Sequence, residues 1–178
     1  MWWRRGMPVR TVMAVDEPAT AGSQEDQNMR AGSVVAIYLA EAEGAATFAV
    51  DEIKAVAGAG IEGDRTFRPA GGQPPQDQIT LIEQEAIEAL TRETGIELAP
   101  GEHRRNVVTV GVPLNDLVGE EFQVGPVRLL GIELREPCKY LENLTGRPGL
   151  IRGLIHRGGL GAQILTGGTV RVGDPVTR

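Results

Sequence analysis

Glycine recurs through the second half of this chain at irregular intervals, 24 in the whole sequence, and the apolar runs between are short and rich in Val, Ile and Leu. Residues without a Cβ mark turns and bulges and weaken helix interiors. Short β-branched runs that stop at such residues read as strands. The expectation is a mainly β chain of many short strands with a few short helices. Aromatic residues make up only 4% of the chain against 41% hydrophobic residues overall, so the core must be aliphatic.

A length of 178 residues suits one domain with a real core. Residues 1–32 include the small, polar run Glu17-Pro18-Ala19-Thr20-Ala21-Gly22-Ser23-Gln24 and are expected to be a flexible N-terminal tail, with the domain covering 33–178. Val34-Val35-Ala36-Ile37-Tyr38-Leu39 opens the domain as a buried strand. A second strand is expected over 53–56 and a third over 78–82, entering a helix over 83–94. In that helix Ala86, Ile87 and Leu90 share one face and Gly95 stops it. Further strands follow at 106–110, 121–124 and 127–134, the last two joined at Gly125-Pro126 as a hairpin. A helical patch is expected at 140–144. A final hairpin is expected across Gly167-Gly168, with Asp174-Pro175 ending the domain. The spacing predicts an antiparallel, meandering sheet, closed as a barrel or packed as a sandwich, without alternating βαβ units.

The formal charge of −6 offers no overall attraction for nucleic acid, whose binding rests on Lys and Arg. No stretch approaches the roughly 20 apolar residues that span a bilayer, and Met1 to Arg10 lacks the apolar core of a secretory signal. A single cysteine excludes an internal disulfide and fits a reducing compartment. The chain is thus expected to be soluble and cytoplasmic, with neither nucleic acid nor membrane as a partner.

Three groups of residues could carry chemistry. Cys138, a lone cysteine, is by default a small buried hydrophobe. Against that, it follows Pro137 where a strand gives way to a helical patch and is flanked by Arg135 and Lys139, a setting that favours the thiolate. A thiolate can ligate a soft metal or accept sulfur. Second, His103, Arg104 and Arg105 with Arg147, Arg152, His156 and Arg157 are either a solvated face or an anion site to which Asn106 adds an amide. The two histidines lack ligand spacing with each other or with Cys138, so zinc is not indicated. Third, Gly63-Asp64-Arg65 reads as a salt-bridged turn or part of a site. Nucleotide-loop and serine-hydrolase motifs do not occur.

In order, Gly63-Asp64-Arg65, Arg105-Asn106-Val107-Val108, Pro137-Cys138 with Leu141-Glu142 and Thr145-Gly146, Arg157-Gly158-Gly159-Leu160-Gly161-Ala162 and Val172-Gly173-Asp174 resemble the MOSC family, the molybdenum cofactor sulfurase C-terminal domain. The resemblance covers residues 34–176 and implies a strongly curved or closed β-barrel. It implies that Cys138 carries sulfur or ligates molybdenum, and that Arg105 and Asn106, with Asp64, Arg65 and Arg157 nearby, contact molybdenum cofactor (molybdopterin), an anionic pterin. A molybdenum-dependent reductase of N-hydroxylated small substrates is one implied activity. A metal-free persulfide carrier and a non-catalytic binding module are the others. The chain has no desulfurase domain and no pyridoxal-phosphate lysine motif, and it lacks the extra N-terminal β domain and ferredoxin-like module of fused members. A separate cysteine desulfurase or redox protein is therefore the expected partner.

Overall fold

A computed structural model describes residues 32–178; the tail expected over 1–32 lies, but for its last residue, outside the described residues. The strands are β1 (Gly32–Leu39), β2 (Phe48–Val50), β3 (Glu52–Val56), β4 (Gly60–Ile61), β5 (Ile79–Glu83), β6 (Val107–Val110), β7 (Glu121–Val124), β8 (Val127–Leu134), β9 (Leu160–Thr166), β10 (Gly168–Arg171) and β11 (Pro175–Thr177). The α-helices are α1 (Gln84–Thr94), α2 (Lys139–Thr145) and α3 (Leu150–Leu154).

Seven strands close a barrel in the order β11-β7-β8-β9-β5-β6-β1, because β11 pairs with both β7 and β1; β2 extends the sheet from β1. The expected closed, mainly β fold is what forms. The expected purely antiparallel meander is not. A closed ring with an odd number of strands cannot alternate direction throughout, so at least one neighbouring pair must be parallel. That pair is β5 with β6, in the register Leu81–Val107, Ile82–Val108 and Glu83–Thr109. A parallel pair needs a crossover, and α1 supplies it, ending at Gly95 with φ 72°. One β-α-β unit is therefore built into the barrel.

Two further expectations are corrected. The strand after Gly167 does not form a hairpin with β9, whose two edges are already taken by β8 and β5. It pairs with β3, in a small second sheet ordered β10-β3-β4. Asp174-Pro175 does not end the domain either, since Pro175 begins β11, the strand that closes the barrel. Proline is tolerated there as the first residue of a strand.

Alternation sorts the strands into inward and outward faces, as in β7, where Phe122 and Val124 are buried and Glu121 and Gln123 exposed. The barrel core is aliphatic apart from Phe122, with Ile37, Leu81, Val107, Leu129, Leu160, Ile164 and Val176 among its members. A second cluster of Leu90, Leu141, Leu150 and Leu154 joins the three helices. A fully buried leucine contributes about 2 kcal/mol. A seven-residue helix is unstable alone, so this cluster is what fastens α2, and with it Cys138, to the barrel.

Gly159, just ahead of β9, has φ 110°, and a Cβ there would collide with the Leu81 carbonyl of β5. Gly159→Ala should lower stability by about 3 kcal/mol or more, read as a lower urea midpoint; an unchanged midpoint would contradict this close approach.

Candidate functional site

One end of the barrel gathers four segments: the end of β1, the turn after β4, the approach to β6 and the segment between β8 and α2. The turn is held by Asp64, which is buried. One of its carboxylate oxygens accepts from the Ala40 N–H (3.3 Å), the other from the Thr66 N–H (3.1 Å) and hydroxyl (2.8 Å). Asp64 does not pair with Arg65 among the described residues, so the turn is not the expected local salt bridge. Asn106 locks the turn to three strands. Its Oδ1 accepts from the Thr80 N–H (3.1 Å) and hydroxyl (2.8 Å), and its Nδ2 donates to the Tyr38 carbonyl (3.4 Å) and to Asp64 (3.3 Å). Its amide is committed within the fold.

The three residues before Asn106 are set by a tight turn. The Arg104 N–H donates to the Gly101 carbonyl (2.9 Å), and Arg104 takes φ 59°, a left-handed conformation unusual for a side chain of its size. His103 holds that conformation. It is 4% exposed, stacks edge-on against Tyr38 with ring centroids 5.4 Å apart, and its Nδ1 accepts from the Arg105 N–H (3.1 Å). Burial, and then the neighbouring Arg105 charge, push its pKa down to about 3, so the imidazole is neutral. Arg105 spans two backbone carbonyls, donating from Nε to Gly158 (2.8 Å) and from Nη2 to Arg135 (3.2 Å). Its pKa is lowered to about 10, first by burial and then by Arg135 and Arg65, while the Cys138 sulfur pulls it upward. Arg105 therefore lies within electrostatic reach of Cys138, with no hydrogen bond joining the two among the described residues.

Cys138 is exposed, which removes the reading of it as a buried hydrophobe. It occupies the N-cap of α2 in an extended conformation, its carbonyl accepting from Leu141 and Glu142 while its side chain caps nothing. Its two flanking cations are engaged elsewhere: Lys139 with Glu142 (2.6 Å), and Arg135 with Asp77 (2.9 Å) and Glu133 (3.2 Å).

The remaining members of the basic constellation separate. Arg157 donates from Nε to the Gly153 carbonyl (2.8 Å) and pairs with Glu93 (2.5 Å), tying α3 to α1. Arg147 pairs with Glu102 (3.5 Å) and His156 with Glu136 (2.9 Å). In contrast, among the described residues no carboxylate oxygen lies within 4.0 Å of Arg65, Arg68, Arg104 or Arg105. Burial and then the Arg65 charge lower the pKa of Arg104, on which Tyr140, Asp64 and Glu43 act in the opposite sense, and Arg65 also lowers that of Arg105. A pocket of about 310 Å³ is lined by Glu43, Arg65, Thr66, Arg68 and Tyr140. Arg68 and Tyr140 were not singled out by sequence; each carries meaning only because the turn after β4 and the start of α2 face one another. No group of three or more His, Cys, Asp or Glu that could hold a metal ion occurs among the described residues. Nor is any described helix long and apolar enough to cross a membrane.

The family model for the MOSC domain matches residues 63–177. The chain belongs to the MOSC family. Its MOSC barrel superposes on the YuaD protein from Bacillus subtilis with a TM-score of 0.70 at 21% identity, covering 82% of this chain and 94% of that one. YiiM from Geobacillus stearothermophilus gives 0.63 at 16% identity, covering 82% and 74%, and YiiM from Escherichia coli gives 0.59 at 18%, covering 82% and 68%. At these identities the likeness speaks to the fold. No curated protein matches the sequence.

The neutral His103 of this MOSC domain makes stability pH-dependent. Its folded pKa lies near 3 against an ordinary 6.5, so between these values the unfolded chain binds a proton that the folded one does not. The stabilisation is full above pH 6.5 and falls by about 1.4 kcal/mol per pH unit as the pH drops toward 3. His103→Asn keeps an acceptor for the Arg105 N–H and does not titrate. Urea unfolding at pH 6.5 and 5 should show a smaller loss for the variant than for the native protein, and equal losses would contradict a buried neutral imidazole.

Proposed function

We propose that this MOSC protein binds molybdenum cofactor, an anionic pterin, on the arginine-lined end of its barrel, with Cys138 as metal ligand or sulfur acceptor. The observation that carries the proposal is Arg105, bonded to the Arg135 carbonyl in the segment leading to an exposed Cys138 and within electrostatic reach of both that thiol and Arg65, with no carboxylate within salt-bridge distance of either arginine among the described residues, in a chain of net charge −6. Guanidinium groups match the oxygens of phosphate and similar anions. Clustered like charges left unneutralised cost stability unless an anion joins them.

The residues fit such a group. A single exposed thiolate can complete the coordination of a soft metal that arrives with its own organic ligand, and Arg65 and Arg68 line an adjoining pocket of about 310 Å³. Within this reading Arg65 and Arg105 hold the anion. Asn106 and Asp64 act one step back, since their polar atoms are spent on orienting the loops that carry these arginines. The cofactor, when bound, would supply two-electron redox chemistry. A matching reaction is reduction of an N-hydroxylated small substrate, in which two electrons from a separate redox protein and two protons convert the N–OH to N–H and release water.

The exposure of Cys138 also suits a second reading, a persulfide carrier. Its thiolate would attack the outer sulfur of a desulfurase persulfide, forming Cys138–S–SH and releasing the desulfurase thiolate. The pyridoxal phosphate of that chemistry would belong to the partner.

Metal and pterin analysis of protein purified from a molybdate-supplied, cofactor-competent host separates the two. Near-stoichiometric molybdenum in the native protein and its loss in Cys138→Ser is the expected result. A metal-free native protein that gains the mass of one sulfur at Cys138 when incubated with a desulfurase and cysteine would favour the carrier.

A further inference from the structure

The chain on either side of Cys138 carries a carboxylate, and both carboxylates grip one segment, residues 149–156. Helix α3 starts from Gly149, at φ 94°, which has no side chain to cap it. Glu142, four residues after Cys138, supplies that cap from outside. Its Oε2 accepts from the Gly149 N–H (3.1 Å) and the Ile151 N–H (3.3 Å), and its Oε1 from Lys139 (2.6 Å), with the side chain only 12% exposed. The Glu142 N–H in turn donates to the Cys138 carbonyl (3.2 Å). Glu136, two residues before Cys138, takes the other end of the segment: one oxygen accepts from the His156 N–H (2.9 Å) and the other lies 2.9 Å from the His156 Nδ1. Hydrogen bonds from backbone N–H groups to a carboxylate are about twice as strong as neutral ones.

We infer that Glu142, with Glu136 opposite it, is a positioning residue: the two carboxylates hold Cys138 in its extended N-cap conformation over a base formed by residues 149–156. The inference rests on Cys138 being the working group of the site, under either reading of its chemistry. The Cys138 side chain caps nothing itself, so its place is set by its neighbours. Leu141, Leu150 and Leu154 bury the facing sides of α2 and α3, but apolar burial is non-directional. The Glu142 bonds are directional and fix how the first turn of α2 sits on the start of α3.

Cys138 is the sole cysteine, so a nitroxide label on the full-length protein reports this position alone, read by electron paramagnetic resonance well below the Tm. Native protein and E142Q, whose amide oxygen still accepts from α3, should give the same ordered spectrum. E142A should show a mobile component about fivefold larger, the factor that goes with loss of one helix cap, and E136A should move in the same direction. An E142A spectrum equal to the native one, with only the Tm lowered, would overturn the inference, since Glu142 would then stabilise α3 without placing Cys138. In unlabelled protein, molybdenum content, or the gain of one sulfur from a desulfurase and cysteine, should fall in E142A and return in E142Q. A mobile label in E142A with native loading would also overturn the inference. A native protein that takes up neither molybdenum nor sulfur would overturn the proposed function instead, and the label spectra, which need no ligand, would still decide whether Glu142 places the thiol.

Discussion

The side chain of Asn106 is the tie on which this end of the barrel depends. Four hydrogen bonds run from one amide to Thr80 at the start of β5, to the Tyr38 carbonyl in β1 and to Asp64 in the turn after β4. Asp64 extends the tie to Ala40 and Thr66. Buried polar groups contribute when every donor and acceptor is matched, and this pair is matched throughout. The result is a rigid frame that presents Arg65 on one side and Arg104 and Arg105 on the other.

Charge is distributed with the opposite logic around that frame. Arg128, Arg135, Arg147, Arg157 and Arg171 each have a carboxylate partner and hold elements together. Arg65, Arg68, Arg104 and Arg105 have none within salt-bridge distance among the described residues, although the chain carries 24 Asp and Glu against 18 Lys and Arg. Desolvation at Arg104 and Arg105 is tolerated because the surrounding network over-determines the backbone. Strain kept in place this way concentrates at functional sites. Arg105 braces two segments, through the Gly158 carbonyl ahead of β9 and the Arg135 carbonyl in the segment leading to Cys138, with the thiol within electrostatic reach.

Much of the barrel was legible in the sequence because its signals are local. Alternation marks β7 and β8, Gly125-Pro126 marks their turn, and Gly95 at φ 72° stops α1. What was not legible depends on partners far away in the chain. Nothing near Gly168 says that β10 will pair with β3, since that follows from β9 having both edges filled. The parallel β5–β6 pair follows from closing seven strands. At the site, Cys138 and Arg105 stand out by residue type, and the Arg135 carbonyl that Arg105 holds lies in the segment leading to Cys138. Arg157 carries the same charge in the sequence, yet Glu93 neutralises it, a pairing across 64 positions that no local pattern reports. Arg68 and Tyr140 escaped notice for the converse reason, being ordinary residues that folding brings to one pocket.

Among the arginines without a carboxylate partner, Arg65 is one whose retention the fold does not explain, so it is expected to serve a ligand. Its guanidinium makes no hydrogen bond or ion pair among the described residues, its backbone N–H alone donating to the Ala40 carbonyl (2.7 Å). Arg65→Gln protein should be measured for thermal unfolding without ligand and for pterin content after purification from a cofactor-competent host. An Arg65 that serves a ligand gives a Tm at or above the native value together with reduced pterin. A lowered Tm with pterin content unchanged would contradict that role.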